Sequence, residues 1–195
     1  MNVALLTSAD EVSDARLHRL SNSLVGAGFS VDVIALGNTK DAPHGATFWK
    51  APGGKSKLAR VARDFAIPLM ARGDVWIVLA PDLLPTAFII GKLRGKKIVA
   101  DVHEDYVKLL RDRAWAKGAI GFLAKIVART ATYVASRCDL TTVADAQVPP
   151  FKPRKRLIVR NLPDKSLLTP SEGLEGTPTA IYIGDVRKSR GLFTM

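Results

Sequence analysis

The sequence predicts an α/β protein with a parallel β-sheet and helices on both faces. Short apolar segments, partly β-branched, alternate along the chain with longer segments of helical periodicity. Residues 3–36 form the first alternation, and their short connections favour a right-handed βαβ unit with parallel strands. The 195 residues suffice for one large domain, or for one domain and a fragment.

The first half of the chain alternates regularly between the two kinds of segment. Strands are expected at residues 3–7, 31–36, 47–51 and 74–79, with a loop at 8–12. Helices are expected at residues 13–28 and 57–71, and a third is expected to begin near Pro81 or Pro85 and to extend to Leu93. Ser13 or Asp14 is suited to cap the first helix, which we expect to end near Gly26 or Gly28.

The helix expected at residues 57–71 has an apolar stripe and several cations. The positions expected to face the core are Leu58, Val61, Phe65 and Leu69. The positions expected to lie largely outside are Lys57, Arg60, Arg63 and Arg72. We therefore expect an amphipathic helix with its apolar side on the sheet.

Further strands are expected in the second half at residues 97–101, 139–143, 157–159 and 179–184. Residues 106–137 are expected to be mostly helical, with a break near Gly118, and a short helix is expected to begin at residues 144–146. Residues 165–178 are rich in Ser, Thr, Pro, Gly and Glu and are predicted to form a linker.

This linker divides the chain into predicted domains. Residues 1–164 form the first domain, and residues 179–195 form the truncated start of a second. So short a tail cannot bury a core of its own. We therefore expect either a fragment of a longer protein or a tail that docks on the first domain or on a partner chain.

The helix expected after Gly118 has two interpretations. Its cationic positions are Lys117, Lys125 and Arg129, and its apolar ones are Ile120, Phe122, Leu123, Ile126 and Val127. One interpretation is a helix packed on the core. The other is a helix that lies on an anionic membrane surface, as basic amphipathic helices do.

The formal net charge of +11 is unevenly distributed. Residues 51–100 carry nine basic and three acidic groups, and residues 151–195 carry nine and four. Such an excess favours an anionic partner, although it is equally consistent with a solvated basic face. The basic residues are spread over several elements without a nucleic-acid-binding motif, so we expect no nucleic acid among the partners.

A cytoplasmic location is expected. A single cysteine, Cys138, excludes an internal disulfide and suits a reducing compartment. The N-terminus lacks the basic and long apolar regions of a signal peptide, and no stretch approaches the roughly 18 apolar residues of a membrane span. Peripheral attachment to the inner face of the cell membrane stays open.

The motifs of several cofactor classes are missing. No glycine-rich dinucleotide fingerprint follows the first strand, and Gly53-Gly54-Lys55-Ser56 has Trp49 where a phosphate loop needs glycine. His18 and His44 have no companions at metal-ligand spacing. We therefore expect no bound cofactor and no metal site.

The strand at residues 97–101 is followed by a cluster of titratable residues. Asp101, His103, Glu104 and Asp105 fall within five positions. Because open α/β sheets bind ligands beyond the carboxyl ends of their strands, a histidine two residues past a strand end is a candidate functional residue. The alternative is a loop histidine among solvated carboxylates.

Five segments together resemble a known family. They are Asp14-Ala15-Arg16 with Arg19; Pro81–Pro85 with Leu93–Glu104; Cys138–Val143; Val159–Asp164; and Tyr182-Ile183-Gly184-Asp185 with Arg190-Gly191-Leu192. In this order the chain resembles the family-four type of nucleotide-sugar glycosyltransferases. The resemblance implies the GT-B architecture of two facing Rossmann-like domains, of which this chain would be the N-terminal, acceptor-side one with a stub of the donor domain.

The resemblance implies transfer of a sugar from a nucleotide-diphosphate sugar to a glycan or lipid-linked acceptor, commonly with retention of configuration and without a metal. By position, His103 would hydrogen-bond the donor sugar, and Arg190 with Gly184 would lie at the diphosphate. The other substrate-side candidates are Ser8, Arg16, Arg19 and Glu104. Cations and helix N-termini would stabilise the leaving diphosphate.

The chain also departs from the family pattern. Leu79 and Ala80 stand where the family often has His-Asp, and Asp185 stands where a second basic residue is usual. Most of the donor domain is missing, so we expect no transferase activity from this chain alone unless a C-terminal domain or a partner chain supplies the rest. The alternative is a non-catalytic Rossmann-like module that docks to a partner or to an anionic membrane surface.

Overall fold

The computed structural model describes residues 1–160 except Lys55 and Ala114, and it leaves the side chains of Lys57 and Asp112 undescribed. The predicted linker and last strand, and the candidate residues Gly184 and Arg190, lie outside the described residues.

Seven strands alternate with helices in the described part of the chain. The strands are β1 (Asn2–Glu11), β2 (Ser30–Leu36), β3 (Thr47–Lys50), β4 (Val75–Val78), β5 (Lys97–Val102), β6 (Leu140–Val143) and β7 (Arg156–Ile158). They form one sheet in the order β3-β2-β1-β4-β5-β6-β7, with every neighbouring pair parallel. The predicted fold class is therefore confirmed.

The helices are α1 (Ala15–Gly26), α2 (Lys57–Met70), α3 (Leu84–Leu93), α4 (Tyr106–Leu109) and α5 (Gly118–Arg137), with 3₁₀ turns at Thr39–Asp41 and Leu110–Asp112. Two core clusters lie on opposite faces of the sheet. α1 packs through Leu17 with Val3 and Leu5 of β1, whereas α2 and α3 pack with Ala4 and Leu6 on the other face. The side chains of β1 alternate between faces, which explains this division.

The first helix, α1, begins and ends where its sequence predicts. The Asp14 side chain accepts hydrogen bonds from the backbone N–H groups of Arg16 and Leu17, which are otherwise unpaired at a helix start. The helix ends at Gly26, and Gly28 adopts a φ of 82°, a conformation that favours glycine.

Trp76 of β4 is the largest fully buried side chain. Its indole Nε1 donates to the carbonyl of Gly73 at 3.0 Å. Gly91 of α3 lies so close that a Cβ there would be 2.4 Å from Ile98 Cδ1 and 3.0 Å from the Trp76 ring. The guanidinium of Arg94 lies over the Trp76 ring, 5.4 Å from its centroid. The α3–sheet contact is thus built around one indole.

Two local predictions are wrong. The loop expected at residues 8–12 is largely strand, because β1 continues to Glu11, which pairs with Leu36 after a register shift. No helix begins at residues 144–146. There the Asp145 carboxylate accepts from the backbone N–H of Gln147, a local side-chain bond that competes with helix formation.

The orientation predicted for α2 is also wrong. All four residues of its apolar stripe are exposed, Leu58 at 83% and Phe65 at 52% among them. Arg63 is 4% exposed and donates to the carbonyls of Ser8 and Gly54 at 2.9 and 3.0 Å. Since these bonds and the buried Ile67 fix the helix on the sheet, its larger apolar side chains face away from the core.

The same arrangement occurs in α5. The buried positions of α5 are Gly121, Ala128, Ala131 and Ala135, all of them small. The five apolar positions that could have packed on the core are all exposed, with Phe122 at 64%. Close approach of the helix to the sheet through small residues therefore excludes the bulky ones. No helix among the described residues is long and apolar enough to cross a membrane.

Candidate functional site

The central feature of the carboxyl edge of the sheet is a histidine–carboxylate pair. His103 follows the end of β5, and its Nε2 lies 2.6 Å from Oδ2 of Asp101, the fifth residue of that strand. The His103 side chain is 18% exposed and that of Asp101 is 10% exposed. The imidazole is therefore held at the edge of the sheet, largely buried but still open to solvent.

Thr142 of the neighbouring strand β6 binds the other carboxylate oxygen of Asp101. Its hydroxyl donates to Asp101 Oδ1 at 2.6 Å, so both carboxylate oxygens are engaged. Burial acts to raise the pKa of Asp101, but the hydrogen bond and charge of His103 and the Thr142 bond together lower it. A carboxylate that only accepts requires a proton on Nε2, so Nδ1 is the nitrogen that can accept a hydrogen bond whenever the ring carries a single proton.

Residues from β1 and α1 surround this pair. Arg16 of α1 is close enough for its charge to lower the pKa of Asp101. Its guanidinium lies 3.3 Å from the carboxylate of Asp10 in β1. Burial, followed by the nearby Asp101 charge, raises the pKa of the Tyr106 phenol. The phenol therefore remains protonated at neutral pH.

A second polar cluster lies further along the same edge. Ser8 of β1 donates through Oγ to Asp82 Oδ1 at 2.9 Å, just beyond the end of β4. Arg60 of α2 reaches the other oxygen of Asp82 at 3.4 Å. Asp64, also on α2, interacts electrostatically with Asp82 and has a buried Oδ1 with no hydrogen-bond partner. Two carboxyl groups therefore share one partly buried environment.

The pKa of Asp64 is raised to about 6, first by burial and then by the charge of Asp82, against the lowering effects of Ser8, Arg60 and Arg63. The folded protein therefore binds this proton more tightly than the unfolded chain does. Stability should fall as pH rises from 3.8, the ordinary value, towards 6, and should stay lower above it.

Replacement of Asp64 by Asn should remove this effect, because the amide keeps the shape of the carboxyl group without its charge. At pH 7 we expect Asp64→Asn to raise the free energy of unfolding by about 1 kcal/mol after solvent screening. The gain should disappear near pH 4. Urea unfolding across this pH range measures it, with the exposed Asp41→Asn as the control. A gain that persists at low pH would contradict the assignment.

The structure brings some predicted site residues together and separates others. Arg16 joins His103 around Asp101, whereas Ser8 is 6% exposed and belongs to the cluster around Asp82. Glu104 is exposed beside the pair, and Arg19 is half-buried one turn after Arg16 on α1.

Several residues of the site were not predicted from the sequence to have a functional role. They are Asp10, Asp64, Asp82, Tyr106 and Thr142. A common signal was present for three of these, since Asp10, Asp82 and Thr142 all lie near the carboxyl ends of predicted strands. Once the strands are known to be parallel, such positions fall on one edge.

A groove of about 460 Å³ runs beside α5 and includes Asp105. Its walls are mostly apolar and include Val107, Tyr133 and Phe151, with Arg129 as its cationic member. The volume is in the range of small-molecule sites.

Among the described residues, neither clustered metal ligands nor the Cys138 thiol adds a chemical group to this site. Within the described part of the chain, no group of three His, Cys, Asp or Glu side chains is arranged to hold a metal ion. Cys138 is buried, and burial raises the pKa of its thiol to about 12, so this cysteine is a packing residue.

No protein-family model and no curated protein matches the chain. Among solved structures, the chain is similar to UDP-glucose: anthocyanidin 3-O-glucosyltransferase in complex with UDP, with a TM-score of 0.54 and 11% identity over 90% of this chain. It also matches UGT89C1 of Arabidopsis thaliana complexed with quercetin over 87% of this chain, at 11% identity and a TM-score of 0.47. The chain spans about half of each, 56% and 52%. The first likeness shows a glycosyltransferase-like GT-B fold.

Proposed function

We propose that this chain is the acceptor-side half of a glycosyltransferase that transfers a sugar from a nucleotide-diphosphate sugar to a glycan or lipid-linked acceptor. The observation that carries the proposal is the 2.6 Å pair of His103 and Asp101 at the carboxyl edge of a GT-B-like parallel sheet. Ligands of such sheets bind beyond this edge. The first structural neighbour is a UDP-glucose glucosyltransferase, which supports a nucleotide sugar as the donor class.

His103 has the central role in this proposal. Asp101, which is held in turn by Thr142, fixes the His103 ring, so that a hydrogen-bonding nitrogen is presented at the edge without reorganisation during the reaction. Arg16 supplies a nearby positive charge for an anionic substrate group. Arg19, Glu104 and Ser8 are proposed as the remaining substrate-side residues.

The finer mechanism follows from the resemblance to the family-four type. We propose that the anomeric configuration is retained and that no metal is required. His103 then hydrogen-bonds the donor sugar, while Arg190 and the backbone at Gly184 hold the diphosphate. The negative charge that develops on this leaving group makes the main contribution to the activation barrier. Cations and helix N-termini lower the barrier because they stabilise that charge.

The Asp101–His103 contact favours a second mechanism at the same site. An imidazole oriented by a carboxylate through one nitrogen is suited to take the proton of an acceptor hydroxyl through the other. Direct attack of that oxygen on the anomeric carbon would then invert its configuration. The two mechanisms share His103 but give it different roles, and they predict opposite product anomers.

The test uses the complete gene product that contains these residues. It should transfer sugar from a UDP-sugar to lipid or glycan acceptors, and transfer should persist in a chelator. The anomeric configuration of the product, read by NMR, distinguishes retention from inversion. Failure to bind any nucleotide sugar and to transfer with any acceptor would contradict the proposal, and would leave a non-catalytic binding module.

A further inference from the structure

The outer side of the helical layer formed by α2, α3 and α5 is apolar. This surface, the outer helix face, consists of Leu58, Val61, Phe65 and Leu69 of α2, Ile89 and Leu93 of α3, and Ile120, Phe122, Leu123, Ile126 and Val127 of α5. Every one of these side chains is at least 44% exposed, and Leu58 and Leu93 are both 83% exposed. Because α3 packs against both α2 and α5, these side chains belong to one helical layer. Extensive exposed apolar surface of this kind marks an interaction site.

Rotation of the helices cannot bury this face. Arg63 holds α2 through its bonds to the carbonyls of Ser8 and Gly54. In α5 the buried positions are the small residues Gly121, Ala128, Ala131 and Ala135, so the helix packs against the protein through these residues. Turning either helix would break these contacts, so the exposed apolar side chains belong to the stable fold.

The charge of the three helices is strongly one-sided. Together they contain seven basic residues and a single carboxylate, Asp64. Asp64 is half-buried. In α5 the exposed cations Lys125 and Arg129 have no ion-pair partner among the described residues. Arg63 is buried, and Arg60 and Lys92 pair with Asp82 and Asp139. Of the described side chains, the cations available beside the outer helix face are therefore those of α5.

We propose that the outer helix face binds an anionic lipid bilayer. Its apolar side chains enter the boundary between headgroups and acyl chains, and cations such as Lys125 and Arg129 contact lipid phosphates. A second copy of the chain is a poorer occupant, because pairing two such faces brings like charges together. The interaction is peripheral, since the helices lie in the interface without crossing it.

The orientation of the bound chain follows from the topology. α5 connects the end of β5 to the start of β6, so its first turns, which carry Ile120 and Phe122, lie at the same edge of the sheet as His103. Leu93, at the end of α3, lies instead at the amino edge, where β5 begins, so the face spans both edges of the sheet. Binding through it therefore brings the histidine–carboxylate edge near the membrane together with the opposite edge. The inference does not depend on the proposed function, although such an orientation would suit a lipid-linked acceptor.

Flotation of the full 195-residue chain with lipid vesicles tests the inference. The chain should float with vesicles of an equimolar mixture of phosphatidylcholine and phosphatidylglycerol, and binding should weaken with added salt. Vesicles of phosphatidylcholine alone should bind at least about tenfold more weakly, because the attraction of several cations to anionic lipid is lost.

Matched variants distinguish binding through the outer helix face from nonspecific adsorption to the vesicles. Leu123→Glu with Ile126→Glu should weaken partitioning by about tenfold or more, since two inserted side chains are lost and two negative charges are added. Leu157→Glu is the control, because Leu157 is 51% exposed on β7 and pairs with Thr142 on the opposite side of the sheet. It should float as the wild type does. Circular dichroism confirms folding of each variant.

Three results would overturn the inference. One is absence of flotation with the anionic vesicles at low salt, and another is equal loss in the Leu157 control. The third is a concentration-dependent dimer, seen by light scattering, that the α5 variant abolishes while vesicles bind nothing. None of these measurements involves sugar transfer, so their failure is distinct from failure of the proposed enzymatic function.

Discussion

Replacing His103 by Ala in the complete gene product should lower the turnover number for sugar transfer by about 10²- to 10⁴-fold, the usual contribution of a positioned proton-transfer or hydrogen-bonding group. The side chain is 18% exposed and is held 2.6 Å from Asp101, so its removal takes away a pre-oriented group without opening the core. Steady-state kinetics with a UDP-sugar donor measure the loss. The KM for the acceptor should change much less.

Two further variants give this prediction its controls. His44→Ala removes an exposed imidazole before β3, at the opposite edge of the sheet, and should leave turnover unchanged. Asp101→Asn tests the positioning role, because an amide can donate to Nε2 and so favours the other tautomer. It should show an intermediate loss with an altered pH profile. Wild-type turnover in His103→Ala would contradict the assigned role.

Replacing Trp76 by Ala should lower the free energy of unfolding by about 3–5 kcal/mol, the range for a large side chain deleted from a core. The cost combines lost burial with a cavity that Gly91 and Ile98 cannot fill, because they are already in close contact around the ring. It also leaves the Gly73 carbonyl without its indole donor and Arg94 without its aromatic partner.

Urea unfolding followed by circular dichroism measures this change, and the matched control is Trp115→Ala. Trp115 is 58% exposed, so its loss should change the free energy of unfolding by no more than about 0.5 kcal/mol. Equal effects of the two substitutions would show that β4 and α3 are not organised around Trp76. A loss confined to Trp76→Ala supports the packing described.

The candidate histidine could be found from the sequence because its position depends on local information. A strand from Lys97 onwards is evident from its composition, and parallel sheets present ligands beyond strand ends. Thr142 and Asp10 could not be assigned in the same way. Their contacts depend on β6 lying beside β5 and on the fold of β1 beside α1, and a single sequence does not specify which strands are neighbours.

The orientations of α2 and α5 show where amphipathic patterns mislead. The pattern of α2 places Leu58 and Phe65 on one side and Arg63 near the other, and burial of the apolar side is the usual outcome. In the structure Arg63 is instead buried, and its guanidinium donates hydrogen bonds to two backbone carbonyl groups. A pattern shows that a helix has two sides, but contacts with distant residues decide which side meets the core.

The order of strands and helices, the parallel α/β class, the cap at Asp14 and the histidine beyond β5 were all determined by the sequence, because each depends on neighbours in the chain. The partners of Asp101, the raised pKa of Asp64 and the exposure of the outer helix face were decided only by tertiary structure. Burial, hydrogen bonding and electrostatics depend on groups brought together from far apart in the chain, and no local pattern records them.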